Sequence, residues 1–184
     1  MSASAFPLEP DPRELEAQTR AVADFVLAHV ASLGEQPSFD LDGADELRAS
    51  FREQVPETGR PLAALLERLS PAIAKSYNTA GPGYLAYIPG GGVYASALAD
   101  FIATATNRYM GVTQAAPVLA QIEETALGWL CQLMGLPAAA RGILTSGGSL
   151  SNFSAIVAAR HERLGESFQD GSIYFSGETH HCVT

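Results

Sequence analysis

The sequence predicts an α/β fold with a parallel sheet, preceded by a run of amphipathic helices. Three observations carry this expectation. A short apolar segment at residues 142–145 runs into the turn Ser146-Gly147-Gly148-Ser149 and then into a helical pattern over 150–164. A second β-rich segment follows at 172–175. Strand, turn, helix and strand in that order form the repeating unit of a parallel sheet. The first 77 residues are different: three helical patterns separated by Pro- and Gly-bearing breaks, with no strand signal.

The first helix spans residues 13–32, with Asp11 as its cap, Pro12 at the first helical position and Gly34 to end it. Val22, Phe25, Val26, Val30 and Leu33 recur at spacings of three and four and form one apolar stripe. A second helix is expected over 44–54, and a third opens at Pro61 and runs to about residue 74. Their apolar faces call for something larger to pack on. Residues 78–92, NTAGPGYLAYIPGGG, are dense in turn formers and aromatics. Ordering such a loop is unfavourable, which suits a site better than a plain connector. Helices over 94–106 and 117–134 come next, the latter opened by Pro117 and closed by Gly135 and Pro137. Trp129, Leu130, Leu133 and Met134 form a stripe expected in the core, and Glu123 and Glu124 suit the dipole of their helix start.

Composition narrows the function. The 184 residues carry a formal charge of −9, with scattered acidic residues and no basic cluster, so a nucleic-acid binder is excluded as a reading. No apolar run approaches the ~18 residues of a membrane span, and no basic-then-apolar leader opens the chain, so a cytoplasmic setting without membrane attachment is expected. Cys131 and Cys182 make no disulfide framework. His180-His181-Cys182 is a poor metal site, because adjacent residues rarely converge on one ion and no second cluster has ligand spacing. Ten of the eleven basic residues are arginines, and Lys75 is the single lysine.

The turn Thr145-Ser-Gly-Gly-Ser-Leu-Ser-Asn152 is the most informative stretch. Glycines after a strand let the backbone approach a ligand, and the following helix offers free N–H groups and a positive dipole end. It is not a P-loop, since no lysine follows the glycines, and Ser151 stands where a nucleophile elbow needs glycine. On these residues alone it serves equally as a phosphate cradle or as a capped helix start with nothing bound. His180, just beyond the second apolar segment, shares the expected end of the sheet with that turn, where open α/β sheets bind ligands.

Together these pieces resemble the group II pyridoxal-phosphate (PLP) decarboxylases, the family of the aromatic amino-acid, glutamate and sulfinoalanine decarboxylases. Ala86-Tyr87-Ile88-Pro89 is similar to the family's substrate-side loop, and Pro117 through Ile122-Glu123 to Trp129 to its Pro…(I/L)-E…W helix. Leu144 to Asn152 resembles its phosphate turn, and His180 with Cys182-Val183 its His-x-Ser/Cys segment. The resemblance implies the amino-terminal part of a fold type I PLP-dependent large domain, in residues 78–184, behind a helical dimerisation arm in residues 1–77. It implies that Gly148 and Ser149 hold the phosphate, that His180 stacks on the pyridine ring and is the catalytic residue, and that Tyr87 and Pro89 border the substrate. Tyr109 would lie near the partner subunit's active site in a homodimer. The substrate would be an amino acid, decarboxylated to its amine. The Schiff-base lysine and the aspartate facing the pyridine nitrogen lie further along the family's chain, and Lys75 does not match that lysine. This chain would then hold about half of the fold and be inactive by itself. The other reading is a non-catalytic partner that keeps the arm and the phosphate cradle.

Overall fold

The computed structural model describes residues 9–88 and 90–183. They form two compact units, one running through Ala105 and the other from Thr106. Six α-helices are present among the described residues: α1 (Pro12–Ser32), α2 (Ala44–Ser50), α3 (Leu62–Ala74), α4 (Tyr94–Thr106), α5 (Pro117–Leu133) and α6 (Gly148–Leu164), with a 3-10 turn at Thr113–Ala115.

In the first unit α1 and α2 each pack on α3. The Asp11 carboxylate accepts from the backbone N–H groups of Arg13 and Glu14 at 2.8 and 2.9 Å, with Pro12 in the first turn. Two otherwise orphaned donors are thereby satisfied, as the sequence required. The inward face of α1 includes half-buried Phe25, Val26 and Leu33, but also His29 and Ser32. Gln36 Nε2 donates to Ser32 Oγ at 2.7 Å, so a polar cluster sits in the α1–α3 cleft. Helix α2 stops at Ser50, short of the expected residue 54. Just past its end Glu53 pairs with Arg60 at 2.6 Å and with Arg68 at 3.3 Å. Arg68 also donates to the Ser50 carbonyl at 3.2 Å and lies over the Phe51 ring. After α3, Phe39 and Tyr77 form an antiparallel bridge, and Tyr77 gathers the rings of Phe39, Tyr84 and Tyr87 at 5.7, 6.4 and 6.2 Å.

In the second unit α5 packs on the 3-10 turn before it. The expected strands at 142–145 and 172–175 form no ladder: among the described residues Phe39–Tyr77 is the one β-bridge. An apolar run supplies a face to bury, but a strand also needs a partner's N–H and C=O groups alongside. The two segments pair neither with each other nor with any other described segment. The expected core stripe on α5 is likewise uncovered, with Trp129 63% and Leu133 82% exposed. An apolar stripe specifies that a helix face will be covered, not which residues cover it. Among the described residues Gly81 alone is buried. No described helix is long and apolar enough to cross a membrane.

Candidate functional site

The phosphate-turn residues sit at the start of α6. The helix begins at Gly148, two residues before the expected position, so Gly148 and Ser149 both lie in its first turn. The first helical bond is from Ser151 N–H to the Gly147 carbonyl at 3.1 Å. No side chain caps this end, unlike α1. The turn is braced from behind: Thr145 Oγ1 donates to the Gly147 carbonyl at 3.1 Å and lies 2.6 Å from Ser151 Oγ. With the Thr145 proton committed to that carbonyl, Ser151 is the donor of the second bond.

Gly147 has φ 163° and ψ 171°, extended backbone that any residue adopts, and a Cβ built on Gly147 or Gly148 meets nothing within 4 Å. The chain's own packing therefore makes no demand for glycine here. The open space before uncapped N–H groups, with the exposed Ser149 hydroxyl beside it, fits a phosphate.

His180 lies in a tight turn over residues 176–183. Ser176 N–H donates to Thr179 Oγ1 at 3.2 Å and Thr179 N–H returns to the Ser176 carbonyl at 3.1 Å. Cys182 N–H donates to His180 Nδ1 at 3.2 Å, and Val183 N–H to the His180 carbonyl at 3.0 Å. An Nδ1 that accepts carries no proton, so the neutral ring has its N–H at Nε2. The His181 ring lies against that of His180, centroids 4.1 Å apart. Asn152 Nδ2 donates to Cys182 Sγ at 3.2 Å and joins this turn to α6. Asn152, Ile156 and His180 line one cleft of about 400 Å³ with Ile173, Tyr174 and Phe175. The structure thus brings the phosphate-turn helix and His180 together, although the two segments before them are not paired strands. Asn152 ended the sequence motif without an assigned role; its position three residues after Ser149, on the same helix face, was the available signal.

The remaining expected residues stand elsewhere. Tyr87 belongs to the first unit, is 81% exposed and holds φ at 60°, a left-handed conformation unusual for a bulky residue. Pro89 lies outside the described residues. Tyr109, in the second unit, is exposed and folds its ring over Gly111, where a Cβ would collide with it. Lys75 closes α3 and pairs with Asp40. No group of three or more His, Cys, Asp and Glu that could hold a metal ion occurs among the described residues.

Comparison with known proteins gives the family. Residues 45–176 match the pyridoxal-dependent decarboxylase conserved domain. An aromatic-L-amino-acid decarboxylase of Bacillus atrophaeus is 32% identical over 161 residues, covering 87% of this chain and 34% of the relative. Two crystal structures share the fold: Catharanthus roseus tryptophan decarboxylase in complex with L-tryptophan (TM-score 0.75, 24% identity, 88% of this chain and 36% of that one) and Oryza sativa TDC with PLP and tryptamine (TM-score 0.76, 24% identity, 91% and 37%). The chain spans about a third of the length of these relatives. The match to the conserved domain runs over most of the sequence, and this chain belongs to the pyridoxal-dependent decarboxylases, a family of PLP-dependent carboxy-lyases.

Proposed function

We propose that the full-length enzyme containing this chain decarboxylates an L-amino acid to its amine and carbon dioxide, with PLP as cofactor. The observation that carries the proposal is the uncapped, sterically open start of α6 joined to the His180 turn through Asn152 and Cys182. When bound, PLP supplies the electron sink for the carboxylate bond that breaks. The backbone N–H groups at Gly148 and Ser149, with the Ser149 hydroxyl, hold the phosphate by charge-assisted hydrogen bonds. His180 would stack on the cofactor ring, and its Nε2–H is the proton this chain would hold there.

Tyr87 and Pro89 border the substrate, and Tyr109 serves the partner subunit's site in a cytoplasmic homodimer. Residues 1–77 form the dimer arm, and residues 78–184 the first part of the α/β large domain. Lys75, engaged by Asp40, is not the Schiff-base lysine, which the remainder of the enzyme supplies. The test is carbon dioxide release by the PLP-loaded full-length enzyme across a panel of aromatic, acidic and sulfinic L-amino acids and diamino acids. Release from one class, giving the matching amine, is expected. A protein that binds PLP and releases nothing from any of them overturns the proposal.

A further inference from the structure

We infer that Asn152 is a positioning residue for His180, acting through Cys182 to hold the imidazole as the Nε2–H tautomer; its bearing on catalysis rests on the cofactor reading above. The relay has two bonds. Asn152 Nδ2 donates to Cys182 Sγ at 3.2 Å, across thirty positions of sequence. The Cys182 backbone N–H then donates to His180 Nδ1 at 3.2 Å. A ring flip of His180 would exchange nitrogen for carbon at that N–H, so this bond distinguishes the two ring orientations. The His181 ring lies tilted by 33° against that of His180, with centroids 4.1 Å apart.

The bond from Cys182 is local, two residues apart, in an exposed turn, and such a turn by itself frays readily. Asn152 changes that. It stands on the 17-residue helix α6, and its amide fixes the half-buried Cys182 side chain to that helix. Asn152 is also three residues from Ser149, so one helix face sets both the phosphate end and the orientation of the ring. The group that grips the phosphate and the group that faces the ring are thereby held in one register.

The test is the ¹⁵N spectrum of the His180 imidazole in this chain without cofactor, assigned by its disappearance in His180→Gln. In the parent, two well-separated ring signals are expected, with the proton on Nε2. Asn152→Ala should bring the two signals together as the tautomers interconvert. Cys182→Ser keeps the backbone N–H and a better acceptor, and should retain the parent pattern, whereas Cys182→Ala should behave like Asn152→Ala. A parent ring protonated at Nδ1, or an Asn152→Ala spectrum identical to the parent's, overturns the inference. If Asn152→Ala loses its helical circular dichroism, the Cys182→Ser and Cys182→Ala pair decides instead: equal spectra overturn it. In the PLP-loaded full-length enzyme, Asn152→Ala should lower kcat and leave the Kd for PLP unchanged. A parent with the Nε2–H pattern that binds no PLP overturns the cofactor reading and supports the relay.

Discussion

Lys75 Nζ donates to Asp40 Oδ2 at 2.6 Å, so the chain's single lysine closes an ion pair between the end of α3 and the segment that follows α1. The Lys75 hydrogen bond, helped by the Asp42 N–H, holds the Asp40 carboxyl below the usual carboxylate range, with burial opposing. A carboxylate whose pKa is lower folded than unfolded stabilises the fold fully above its unfolded pKa, about 3.9. That contribution is lost as pH falls through the folded value. Carboxyl ¹³C titration should show Asp40 ionising below the ordinary range, and Lys75→Met should move it upward toward that range. Because both side chains are partly exposed, salt should weaken the shift. An Asp40 titration unchanged in Lys75→Met would show that the pair is not its cause.

The same engagement bears on activity. Incubated with PLP and a panel of amino acids, this chain by itself should release no carbon dioxide, because its one lysine is the partner of Asp40 and does not match the Schiff-base position. Turnover abolished by Lys75→Ala would make Lys75 catalytic and refute the expectation.

At the start of α6, three substitutions in the full-length enzyme should separate. Ser149→Ala removes one hydroxyl donor to a charged acceptor, a bond worth ~1.5–3 kcal/mol, so PLP affinity should fall roughly ten- to a hundredfold. Gly148→Val should fold, since the chain leaves that direction open, yet bind PLP less well than Ser149→Ala because its branches occupy the phosphate's space. His180→Ala should reduce kcat more than PLP affinity. PLP titration and steady-state rates rank the three, and parent-like PLP binding by Ser149→Ala would move the phosphate away from that hydroxyl.

Sizing chromatography of this chain at rising concentration should show association. Large apolar side chains on α4 and α5, including Phe101, Ile102, Ile122 and Trp129, are each about 60% exposed, and patches of this kind seek cover. Charge substitutions at Ile122 and Trp129 should shift the profile toward monomer. A single monomer peak of the parent throughout would contradict this.

Helix positions were legible where the signals were local. Asp11-Pro12 wrote the start of α1, and Gly135, at φ 69°, closes α5 by the paired bonds Gly135 N–H to Gln132 and Leu136 N–H to Cys131. Both need only neighbours in sequence. The Glu53–Arg68 pair just past the end of α2 was not legible, because its partners stand fifteen positions apart. The segments at 142–145 and 172–175 failed as strands for a related reason: pairing is a property of two segments, and periodicity describes one. At the site, motif order named Gly148, Ser149 and His180. Asn152 emerged only when folding set its amide against Cys182, a relationship concealed by a separation of thirty positions in sequence.

Tyr87 carries a consequence for the evolution of this protein. A bulky residue held at φ 60° forfeits on the order of 1–3 kcal/mol relative to a relaxed backbone. The edge-on contact of its ring with Tyr77 returns about 0.5–1.5 kcal/mol, and the mostly exposed ring gains little from burial. Drift toward greater stability would therefore favour glycine, which adopts this conformation freely and already fills positions 90–92 of the same loop. With Tyr87 bordering the substrate as proposed, thermostability and activity would pull in opposite directions at this position. A screen for heat resistance alone should enrich Tyr87→Gly, and a screen for turnover should discard it.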